Sequence, residues 1–61
     1  MSAEVDRARE ELAAALVRAG TLCIELLDGS TPELLAESNR ALEEARFKGI
    51  VLNELLLEEA E

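Results

Sequence analysis

Residues 12–27 read LAAALVRAGTLCIELL, and only Arg18 and Glu25 in that run carry charge. At about 100° per residue, Leu12, Leu16, Ala19, Cys23, Leu26 and Leu27 cover one broad side of a helix. Val17, Gly20 and Ile24 extend that side well round the cylinder. The remaining polar strip is narrow: Glu11, Arg18, Thr21 and Glu25. One neighbouring helix covers only one stripe, so a helix this apolar requires several neighbours. The rest of the chain is long enough to supply one.

Sixty-one residues make at most one small domain. Domains of this size usually need a disulfide, a metal or oligomerisation. Cys23 is the only cysteine and there is no histidine. An internal disulfide is therefore impossible, and a zinc site of the usual structural kind is not expected. Association between copies is the remaining route. Ala, Leu, Glu and Arg dominate, with one Pro, three Gly and one aromatic residue, a composition that favours helices over strands. The formal net charge of -8 argues against nucleic acid and anionic membrane surfaces as partners. The apolar run is too short and too interrupted to span a bilayer. No signal-peptide pattern opens the chain, so a soluble protein of a reducing compartment is the default expectation.

The pattern predicts two helices. Ser2 is a suitable N-cap, and Glu4 and Asp6 place carboxylates at the positive end of the helix dipole. The first helix is predicted over 3–27. Its seam is Val5, Ala8, Leu12, Ala15, Ala19, Leu22 and Leu26, alternating three and four apart. Gly20 costs about 1 kcal/mol relative to Ala inside a helix, and close approach of another backbone is the expected reason. Asp28-Gly29-Ser30-Thr31-Pro32-Glu33 then punctuates the chain. Gly29 suits a left-handed position after the helix end, Thr31 an N-cap, and Pro32 the first helical position. A turn over 28–31 leads to a second helix over 32–59. So short a connection makes the pair an antiparallel hairpin spanning residues 1–61. The expected register sets Thr21 near Ser38, Leu16 near Glu43 and Glu44, and Ala8 near Val51.

On the second helix Leu35, Ser38, Leu42, Ala45, Gly49, Leu52 and Leu56 form the expected seam, widened by Leu34 and Ala41. From Phe47 onward the helix turns apolar nearly all round: Phe47 and Val51 fall on the polar face, Ile50 and Leu57 on its flank. Glu58, Glu59 and Glu61 put negative charge at the negative end of the dipole. Arg7 with Glu11, and Glu44 with Lys48, are the expected i,i+4 pairs.

Small residues set the expected spacing between helices. Ala41, Ala45 and Gly49 face a zone of Ala13, Ala15, Ala19 and Gly20, where backbones approach closely; an apolar pocket is the alternative. Thr21, Ser38 and Asn53 lie beside the apolar faces, and Thr21 with Ser38 is the expected cross-hairpin pair. Cys23 lacks any histidine base and behaves as a small hydrophobe. No phosphate loop, nucleophile elbow or metal-ligand spacing occurs. No cofactor and no catalysis are expected.

The run SAEVDRAREELAAAL and the idealised connector 28–33 resemble de novo designed helical hairpins. That resemblance implies self-association into a symmetric bundle, in some cases around a ligand. Rop-like hairpins are similar in length and topology, and that likeness implies a dimeric four-helix bundle. The expected fold is thus all-α: a two-helix antiparallel hairpin assembling into a helical bundle. A homodimeric four-helix bundle comes first, a trimer or larger ring second. The expected interface is Leu12, Leu16, Val17, Cys23, Ile24, Phe47, Ile50, Val51 and Leu55. A hairpin docking on a foreign protein through residues 47–57 is a further alternative. If these faces are assigned correctly, Val17→Glu and Ile24→Glu each give a smaller or largely unfolded species. An unchanged assembly mass and melting curve in both variants would overturn the assignment.

Overall fold

A computed structural model describes residues 2–60 of the chain; Met1 and Glu61, the outermost residues assigned to the hairpin, lie outside the described residues. Helix α1 runs Ala3–Asp28 and helix α2 runs Pro32–Ala60. Among the described residues there is no strand. The predicted boundaries hold to within one residue.

Both helix starts are chemically specified. The Val5 amide donates to Ser2 Oγ at 3.2 Å, and the Leu34 amide donates to Thr31 Oγ1 at 3.1 Å. Each cap satisfies a donor that the helix leaves unpaired in its first turn. The Asp6 and Leu35 amides close the first backbone bonds onto the Ser2 and Thr31 carbonyls. The turn differs from the expected left-handed cap. Gly29 has φ 158° and ψ 144°, a nearly extended conformation far from the helical αL values. The chain therefore leaves α1 straight and re-enters a helix at Thr31, instead of wrapping back over the last carbonyls.

The helices pack antiparallel into a rod of 46 × 13 × 13 Å. On α1 the buried residues are Val5, Ala8, Ala15, Ala19 and Leu22, with Leu12 and Leu26 half-buried. That is the expected seam in full. On α2 the seam is rotated by about one residue. Ser38, Ala41 and Ala45 are buried, and Leu34, Lys48, Gly49, Leu52 and Leu55 are half-buried. Leu35 and Leu42, expected inside, are 48% and 47% exposed. The reason lies across the interface. Ala15 and Ala19 bring the backbones together, and a matching line of small residues on α2 fits that distance where a line of leucines does not.

The register agrees with expectation to within about two residues. Leu12 Cδ1 lies 3.9 Å from the position a Gly49 Cβ would take, and Cys23 Sγ meets Ser38 Oγ at 3.8 Å. Gly20 is a correction. A Cβ there meets nothing within 4 Å, so no backbone approaches it within the hairpin. These contacts predict opposite effects for two substitutions. Thr31→Ala should cost about 1 kcal/mol through the lost cap. Gly49→Ala should be accommodated at ordinary contact distance and raise stability by up to about 1 kcal/mol. Chemical denaturation of both variants measures this, and a destabilised Gly49→Ala would contradict the packing.

Candidate interaction surface

What the hairpin buries is small. Seven hydrophobic residues form its buried interior, and five of them are alanines: Ala8, Ala15, Ala19, Ala41 and Ala45. Among the described residues Val5 is the only large side chain fully enclosed. Ten large apolar side chains, by contrast, are exposed among the described residues. Leu27 is 86% exposed, Val17 69%, Ile24 65% and Phe47 63%. Leu16, Ile50 and Leu57 are also among the exposed large hydrophobics.

The two long edges of the rod differ in chemistry. On one edge, Arg18 Nη1 donates to Glu44 Oε2 at 3.2 Å and Lys48 Nζ donates to Glu11 Oε1 at 3.1 Å. Both pairs tie α1 to α2, which corrects the expected Arg7–Glu11 and Glu44–Lys48 pairings. Antiparallel packing sets these side chains level across a narrow seam, so the reach across is as short as the reach along one helix. The Lys48 stem is half-buried on the way, covering part of the seam with its methylenes.

The opposite edge carries Leu12 against Gly49 and Cys23 against Ser38. From there outward, helical spacing generates two exposed lines. On α1 it is Arg9, Ala13, Leu16, Gly20, Ile24 and Leu27; on α2 it is Leu35, Asn39, Leu42, Arg46, Ile50, Asn53 and Leu57. Because antiparallel helices reverse their sense of rotation, both lines fall on this same side of the hairpin. Neither line contains an aspartate or glutamate; the N-terminal continuation of the first, Asp6, is the nearest acid on it. The chain's negative charge sits almost entirely elsewhere.

The nine expected interface residues are thereby divided. Leu16, Val17, Ile24 and Ile50 are exposed on or beside the acid-free edge, with half-buried Leu12 and Cys23 at its inner margin. Phe47 is exposed toward the ion-paired edge, and Val51 and Leu55 are half-buried on that side. Leu27, Leu35, Leu42 and Leu57 belong to the exposed apolar surface but were not among the nine. Leu35 and Leu42 were assigned to the seam, and an alanine-for-alanine match between the helices would have placed them outside.

The polar groups are satisfied locally. Ser38, 3% exposed, is paired with Cys23 and not with Thr21. Thr21 Oγ1 instead donates to the Val17 carbonyl at 2.9 Å within its own helix, and Asn53 is exposed. Among the described residues no buried side-chain polar atom lacks a partner, and no cluster of potential metal ligands occurs. Of the expected small-residue zone, Ala15, Ala19, Ala41 and Ala45 are buried and Gly49 is half-buried, whereas Ala13 and Gly20 are exposed. A depression of about 220 Å³ lies away from it, beside Ala3, Glu4 and Arg7. Among the described residues no helix is long and apolar enough to cross a membrane. No protein-family model, curated protein or solved structure matches the chain.

The ion-paired edge contributes alignment more than stability, because its side chains are partly solvated and salt screens them. A double-mutant cycle of Arg18→Ala and Glu44→Ala should give a coupling below about 1 kcal/mol that shrinks with added salt. A salt-independent coupling several times larger would contradict this placement.

Proposed function

We propose that the chain is a structural, self-assembling helical hairpin whose function is to form a symmetric homo-oligomeric bundle, with a homodimeric four-helix bundle first and a trimer or ring second. No catalysis is part of this reading. The observation that carries it is the imbalance of side-chain size: five of the seven buried hydrophobics are alanines, while ten large apolar side chains are exposed among the described residues.

Two magnitudes support it. The chain exposes 4625 Å², whereas folded monomers of 6.6 kDa follow a scaling that gives about 3,900 Å². The excess of about 750 Å² is close to the ~800 Å² per partner of a standard interface. Its radius of gyration is 14.0 Å, against about 10.5 Å for a compact domain of this length and about 13.7 Å for one of twice the length. The hairpin is thus more extended than a compact domain of its length, with a large surface for its volume. Burying about 800 Å² of apolar surface at ~25 cal/mol/Å² is worth roughly 20 kcal/mol gross per chain. Ordering and lost freedom cancel much of that.

The Ala/Glu/Arg surface and the idealised connector support reading the chain as a designed hairpin. Sedimentation equilibrium across a concentration series tests the assembly. A mass of twice the chain's, or a higher integer multiple, that dissociates on dilution is expected. A monomer at every concentration would overturn the reading, and a mixed complex formed only with a foreign protein would replace it.

A further inference from the structure

Resting on that self-association, we infer that the acid-free edge is the face two copies share, and that they meet on it with both turns at the same end of the bundle. Three observations carry this. First, from Arg9 to Leu27 and from Leu35 to Leu57 the two lines of this edge carry no acid and no internal ion pair, and Asp6 at the terminal end is the nearest carboxylate. Two chains of net charge -8 repel each other least across the surface where carboxylates are fewest. Second, the excess exposed area matches one partner's share of a standard interface. Third, the edge is not uniform along its length. Ile24, Leu27, Leu35 and Leu42 occupy the half nearer the turn, which carries no charge on either line. Leu16 and Arg46 lie at mid-length, and Arg9 interrupts the half nearer the termini alongside Ile50 and Leu57.

That gradient selects between the two twofold arrangements. With the axis along the rod, each α1 lies against the partner's α2, and the leucine-rich turn halves meet. Arg9 then stays in the other half, nearer the solvated ends, while mid-length Arg46 is placed alike in either arrangement. With the axis across the rod, each leucine-rich half covers the partner's Arg9, and its charged guanidinium is drawn into apolar surroundings at a cost. Apolar surface on apolar surface is the better match.

Spin labels placed at the turn read the arrangement directly. In a Cys23→Ser background, Ser30→Cys carries one label per chain on the exposed connector. Interaxial spacings of 8–10 Å predict a label separation of about 10–25 Å when both turns share an end. Turns at opposite ends would hold the labels apart by about the rod length of 46 Å. In parallel, Leu42→Glu should weaken association at least tenfold, because a carboxylate enters the shared face. Phe47→Glu, on the other edge, should change it less than about threefold. Far-ultraviolet circular dichroism confirms that both variants remain helical. A monomeric parent chain would defeat self-association itself. A pair with labels about 46 Å apart, or one dissociated by Phe47→Glu and not by Leu42→Glu, would leave self-association standing and overturn this inference.

Discussion

Close approach of the two helix backbones is the constraint on which the rest of this molecule depends. Ala15 and Ala19 on α1 face Ala41 and Ala45 on α2, and all four are buried. Helices that pack on alanine sit closer than helices that pack on leucine, and they leave room between them for few large side chains, here Val5 and Leu22. Most others therefore project from the flanks. A tight interior of this kind specifies the register well, through Leu12 on Gly49 and Cys23 on Ser38. It removes little apolar surface from water for the number of residues it orders.

That imbalance has a direct thermodynamic meaning. Fixing the backbone of each residue costs about 1–2 kcal/mol, and a fully buried leucine or isoleucine offsets about 1.5–3 kcal/mol. Alanine burial offsets far less. A hairpin whose interior is chiefly alanine, and which leaves Leu16, Val17, Ile24, Leu27, Phe47 and Leu57 more than half exposed, leaves a large favourable contribution unrealised. In the proposed dimer, covering the acid-poor edge would supply that contribution while bringing few carboxylates together. The ion-paired edge has the complementary role: Arg18–Glu44 and Lys48–Glu11 align the helices while keeping that side solvated.

Much of the fold was legible in the sequence because it is written in local chemistry. Ser2 and Thr31 cap the helices, Pro32 opens the second, and the three- and four-residue spacing of Val5 to Leu26 marks the α1 seam. The α2 seam was harder to read. Leu35 and Leu42 compete with Leu34 and Ala41 for the same face, and hydrophobicity alone favours the leucines. Only the size of the residues opposite decides between them, and that is a property of the pair of helices. The ion pairs were misassigned for a similar reason, since Lys48 reaches Glu11 across the seam as readily as Glu44 along its own helix. The candidate surface was legible in composition but not in layout. Leu16, Ile24 and Ile50 fall on one side of the rod at different heights, while Phe47 and Val51 fall on the far side because the apolar pattern of α2 changes phase after Arg46.

The most direct measure of whether association completes the fold is the dependence of thermal unfolding on protein concentration. For a two-chain unit of this size, with an unfolding enthalpy of about 0.7 kcal/mol per residue, the midpoint should rise by about 6 °C for each tenfold increase in concentration. A midpoint that stays constant over a hundredfold range, with a sharp transition throughout, would contradict the dependence of this fold on a second copy.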